Sequence, residues 1–124
     1  MSDKDGHLRK AEHNLKFVKT FNLENTKYLD WAAVAIFYTA CHYVDAYFAT
    51  TGKLEFVNHG QRNDAVEDEL SPIARQYLIL FRAGHDARYK PYRVFSTRDL
   101  MDYEAVHLAQ IDNYILDLLN KLSS

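Results

Sequence analysis

Residues 28–51, YLDWAAVAIFYTACHYVDAYFATT, constrain this chain more than any other stretch. Read as a helix, Val34, Phe37, Cys41, Val44 and Phe48 form one seam, and Trp31, Ala35, Tyr38, His42, Asp45 and Ala49 form an adjacent one. Ala33, Ile36, Ala40, Tyr43 and Tyr47 cover much of what remains. A helix that is apolar all round is a buried helix, so this one is expected at the centre of the domain. Two threonines lower helix propensity at its end, and Gly52 is placed to close it. Between Asp30 and Lys53 the only readily ionised groups are His42 and Asp45. Two such groups at mid-helix favour a core helix over a membrane span.

The remaining segments also read as helices. Leu8, Ala11, Leu15 and Val18 give residues 5–23 one buried stripe, with Arg9, Lys10, Lys16 and Lys19 elsewhere on the surface. NLENTKY (22–28) is a tight polar connection, and KLEFV (53–57) links the central helix to a short one starting near Asn58. Asn58 and Gln61 have capping-box spacing. Ser71-Pro72 reads as N-cap and first residue of a further helix through IARQYLILFRAG, with Gly84 closing or bending it. Residues 85–98 read as a loop punctuated by Pro91. The last helix starts at Ser96 or Thr97 and runs to about Leu122, with Leu108, Ile111, Ile115, Leu118 and Leu122 as its stripe. The expectation is all-α: an antiparallel up-and-down bundle of four long helices plus one short helix, in a single domain over residues 1–124.

A chain of 124 residues is long enough for a hydrophobic core without staples. The net charge of −2 gives no global attraction to nucleic acid or membrane. The lone Cys41 excludes an internal disulfide and suits a reducing cytosol, and the charged start MSDKDGHLRK is unlike a secretory leader. A cytoplasmic protein without membrane contact is expected.

The chemistry concentrates in three places. A buried carboxylate needs a partner, because an isolated buried charge costs several kcal/mol or more. Asp45, one helical turn from His42, can orient that imidazole or receive an arginine such as Arg62 or Arg88. This is either a core network that fixes helix register or the wall of a site. His59 and Arg62 share a face at a helix start, where an imidazole leans neutral and can act as a base, beside a fork for phosphate or carboxylate. The alternative is a solvated helix start. The stretch 82–98, RAGHDARYKPYRVFSTR, sets five cations against the single acid Asp86 and interleaves Tyr89, Tyr92 and Phe95. That mixture suits phosphate contacts and base stacking, or an ordinary solvated loop. No glycine-rich phosphate loop, Cys-x-x-Cys pair or nucleophile elbow occurs. His42, Asp45 and His59 are of metal-binding type but lack a familiar ligand spacing, so neither metal nor cofactor is expected. His7 and His13 are placed on the polar side of the first helix. Cys41, in an apolar seam, is not expected to be a nucleophile.

WAAVAIFYTACHYVDAYF, then NHGQRNDAV, then YLILFRAGHDARY, together resemble the HEPN superfamily of nucleotide-binding helical domains over roughly residues 28–115. The likeness is to HEPN-like proteins with His-x-x-Asp on the central helix, His-x-x-Arg after it and Ala-Arg-Tyr after the next. It implies a small helical bundle that forms a homodimer, with links to RNA cleavage, nucleotide binding, or toxin–antitoxin and phage-defence systems, and hence an antitoxin or other protein partner. The family's ribonucleases carry Arg and His separated by four to six residues, a spacing absent from this chain.

Three functions follow as expectations. In the first, the chain binds RNA or a nucleotide, with Arg62, Arg88 and Tyr89 on phosphate or sugar and His42 and Asp45 behind them. In the second, it is a metal-independent ribonuclease in which His59 or His42 takes the 2′-hydroxyl proton and Arg62 or Arg88 stabilises the phosphorane. In the third, it is a non-catalytic structural or partner protein whose tyrosine-rich surface dimerises.

Overall fold

The computed structural model describes residues 3–52 and 56–123. Among them there are helices and no strands: α1 (Lys4–Thr20), α2 (Leu29–Thr50), α3 (His59–Glu69), α4 (Ser71–Tyr89), and a last continuous rod. The rod comprises α5 (Thr97–Asp102), a π-helical segment (Tyr103–Leu108) and α6 (Ala109–Ser123). As one helix it makes five in all, with α3 the short one. Most of the link over 53–57 lies outside the described residues; Phe56 packs its ring edge-on against Phe48.

α2 is the axis of the fold. It contacts α1, α4 and all three parts of the last rod, while α3 packs on α4. Ile36, Phe37, Ala40, Val44, Ala46 and Phe48 are completely buried, and the buried apolar side chains of all the helices join in one cluster. The one fully buried polar residue among those described, Thr39, donates its hydroxyl to the Ala35 carbonyl at 2.8 Å and so leaves no unmet group. No helix among the described residues is long and apolar enough to cross a membrane.

Local chemistry sets the helix ends. Thr51 caps α2 and Gly52 follows at φ +87°, the left-handed conformation that glycine adopts without steric cost. At α3 the Asn58 side chain accepts from the Gln61 backbone N–H at 2.9 Å, and the Gln61 side chain accepts from Val57 rather than from Asn58. The box is thus displaced outward by one residue. At α5 Ser96 and Asp99 exchange both bonds of a complete capping box.

The ends of α4 and the stripe of the last rod differ from expectation: the N-cap of α4 is Leu70, with Ser71 its first residue. Helix α4 does not end at Gly84 but continues through HDARY to Tyr89, so the loop begins only at Lys90. Gly84 serves packing instead: a Cβ there would lie 2.8 Å from the Phe37 Cβ, so its absence lets α4 approach α2. Termination falls to Lys90, which is extended because the residue before proline disfavours the helical region. In the last rod the core stripe runs Leu100, Tyr103, Leu108, Ile111, Ile115 and Leu119, while Leu122 is exposed and Leu118 half-buried. The step from Tyr103 to Leu108 is five residues, one more than an α-helix tolerates on one face. The π segment absorbs the extra residue and returns both halves of the stripe to the core.

Candidate functional site

Tyr38, His42 and Asp45 lie along one face of α2, and neighbouring helices supply their partners. Arg62, one turn into α3, reaches Asp45 with both prongs: Nε donates to Oδ1 at 2.9 Å and Nη2 to Oδ2 at 3.1 Å. Both side chains are largely buried, at 15% exposed for Arg62 and 13% for Asp45. Burial is the largest single influence and works against the Arg62 charge, but the hydrogen bonds to Asp45 and the surrounding charge interactions together outweigh it and hold the guanidinium protonated. Arg62 Nη1 also contacts His59 Nδ1 at 3.0 Å. Burial first, then the charges of Arg62 and Arg88, push His59 down and keep its ring neutral, so it accepts from the arginine. Its ring lies against Phe37 and Phe81.

His42 turns elsewhere. Its Nδ1 faces Nδ1 of His7, in the first turns of α1, at 3.1 Å. Burial, followed by the His7 charge, lowers the His42 pKa. Neutral rings satisfy this contact when one Nδ1 carries the proton and the other accepts it. His7 is thus half-buried against α2 and not on the polar side of α1. The signal was present in the sequence: His7, Ala11, Asn14 and Val18 follow one another at helical spacing. Asp45 lies near this pair, with the three ligand atoms all within 4.8 Å of one another.

Arg88, near the end of α4, forms a separate centre. Its Nε donates to the Gly84 carbonyl at 3.0 Å and Nη1 to the Tyr38 hydroxyl at 2.8 Å. The guanidinium lies 5.4 Å from the Tyr38 ring centre, 5.1 Å from Tyr89 and 5.9 Å from Phe37, within the range of cation–π attraction. Among the described residues its Nη2 is buried without a hydrogen-bond partner. Arg88 also lines a cavity of about 170 Å³ with Asp30, Trp31, Val34 and Ala87. Trp31 and Val34 are shared with a larger groove of about 330 Å³ between α1 and α2, which Lys10, Phe17, Tyr38 and His42 help to line. Trp31 is 60% exposed and stands between the two hollows.

The six site residues expected from the sequence therefore form two groups. His59, Arg62 and Asp45 make one chain of contacts, with His42 and His7 beside it; Arg88, Tyr89 and Tyr38 make the other. Phe37 touches both, through His59 and through Arg88. The basic stretch 82–98 is partly neutralised from within, since Asp86 pairs with Lys90 at 3.4 Å and with Arg93 at 3.5 Å. Arg93 in turn covers the Phe95 ring. Cys41 is buried and pushed up to about 12 by loss of solvent, so its thiol stays protonated. Trp31 and Lys10, which reasoning from the sequence left outside the site, border its hollows. Comparison of the chain with protein-family models, with curated proteins and with solved structures returns no match.

Proposed function

We propose that the chain is a nucleotide- or RNA-binding module of the HEPN-like kind, with its phosphate subsite at Arg88. The observation that carries the reading is the buried Arg88 Nη2, a charged donor without a partner among the described residues, in a cup of aromatic rings. An unmet buried donor on a guanidinium is costly, and a phosphate oxygen is the acceptor that meets it best. Nε and Nη1 are already fixed by Gly84 and Tyr38, so the free edge is pre-aimed and little side-chain freedom is lost on binding. The neighbouring groove has the size and apolar lining of a small-ligand site, and Trp31 and Tyr38 offer faces on which a base can stack. Arg62 is less available, because Asp45 and His59 occupy its fork. The same engagement favours binding over cleavage at His59, whose Nδ1 lone pair accepts from Arg62 and so leaves the ring proton on Nε2.

The test is equilibrium binding of a panel of nucleoside mono-, di- and triphosphates and of short single-stranded RNA, across a range of salt. Binding that weakens with salt, falls at least tenfold in Arg88→Ala and is not restored by Arg88→Lys is the expected result, since lysine lacks the planar fork. Equal binding by Arg88→Ala, or none by the native chain, would remove the proposal.

A further inference from the structure

A second site is built from different atoms. Two imidazole nitrogens, Nδ1 of His7 and Nδ1 of His42, point at each other at 3.1 Å, and one ring nitrogen of each histidine lies within 4.8 Å of a carboxylate oxygen of Asp45. Only one proton fits between two such nitrogens, so one lone pair of the facing pair is always directed at the other ring. Nitrogens bound at ~2.0–2.1 Å to one tetrahedral ion lie roughly 3.3 Å apart, close to the spacing found here. The carboxylate keeps lone pairs beyond those that Arg62 uses, and a ligating carboxylate is ordinarily held by just such an outer hydrogen bond. The three residues come from two helices: His7 from the first turns of α1, His42 and Asp45 from successive turns of α2.

We propose that His7, His42 and Asp45 form a binding site for one divalent first-row transition ion, of which Zn²⁺ is the representative. Two imidazoles with one carboxylate are borderline ligands that select such ions over Mg²⁺ and Ca²⁺, which require mostly oxygen. Three protein ligands leave a coordination position for water or an incoming group. His42 also lines the groove between α1 and α2, so the ion would border that hollow. The ion would join the start of α1 to the middle of α2, adding a cross-link within the fold.

The protein, stripped with chelator and dialysed, is titrated with Zn²⁺ by calorimetry and with Co²⁺ by visible absorption. One ion per chain is expected, with the intense d–d bands of a four- or five-coordinate cobalt site and a rise in melting temperature. His7→Ala should weaken binding at least tenfold, and His42→Gln likewise, while His13→Ala, an exposed histidine on the same helix, leaves it unchanged. Should His42→Gln fail to fold, His7→Ala decides alone, because its side chain lies at the start of α1, outside the buried cluster. Absence of stoichiometric binding, equal affinity in His7→Ala, or displacement by equimolar Mg²⁺ would each overturn the site. None of these results depends on a nucleotide, so the Arg88 proposal stands or falls separately.

Discussion

Asp45 sits on the most buried helix of the molecule, and its two oxygens are both engaged by Arg62. Asp45→Asn leaves the guanidinium in place with one of its acceptors replaced by a donor and with no counter-charge. Breaking a largely buried pair in this way costs about 3 kcal/mol. A urea midpoint should therefore fall well below that of the native chain, and Asp45→Asn with Arg62→Met should recover part of the loss. A double variant no better than the single one would show that the pair does not act as a unit. At this scale the sequence was legible where electrostatics demanded an answer: an isolated carboxylate on such a helix required a cation, and Arg62 was a named candidate. The pairing of His42 was less legible. His7 offers the right periodicity, but an imidazole can face water or core, so its spacing alone did not choose.

At the scale of elements, the α2–α4 contact illustrates how one residue type can carry opposite meanings. Glycine near the end of an apolar run commonly closes a helix, whereas Gly84 allows two helices to approach. In an exposed helix Gly→Ala gains about 1 kcal/mol. Here the new methyl would meet Phe37 at 2.8 Å, so Gly84→Ala should instead destabilise by about 1–3 kcal/mol. A lowered melting temperature, partly restored by Phe37→Leu, is the expected pattern; a raised one would show that the interface yields freely. Helix number and order, the capping residues of α5 and the central place of α2 could all be read from periodicity and end signals. The close approach at Gly84 could not, because it depends on which helix face meets which. The same holds for the π segment: its five-residue step is visible only once both flanking stripes are known to face one core.

For the molecule as a whole, burial keeps His42, His59 and His107 below the ordinary histidine value of 6.5 in the folded chain. As pH falls through that value the unfolded chain takes up protons first, so protonation favours unfolding. The stabilising contribution of the neutral rings is complete above about 6.5 and declines as pH drops toward each folded-state value. Urea midpoints of the metal-free protein should be lower at about pH 5.5 than at about pH 7.5, and His107→Gln should flatten part of the slope. A midpoint that is level or higher at the acid end would contradict this balance. All-helical architecture was legible from patterning alone, since scarce glycine and proline and long apolar stripes leave little else to build. Which polar groups meet was not, for that is decided by contacts between distant segments. The π segment, finally, bears on chain length. Along most of the last rod, losing one residue would rotate everything beyond it off the core by about 100°. Between Tyr103 and Leu108 the chain holds one residue more than its register needs, and there a chain one residue shorter could present the same core.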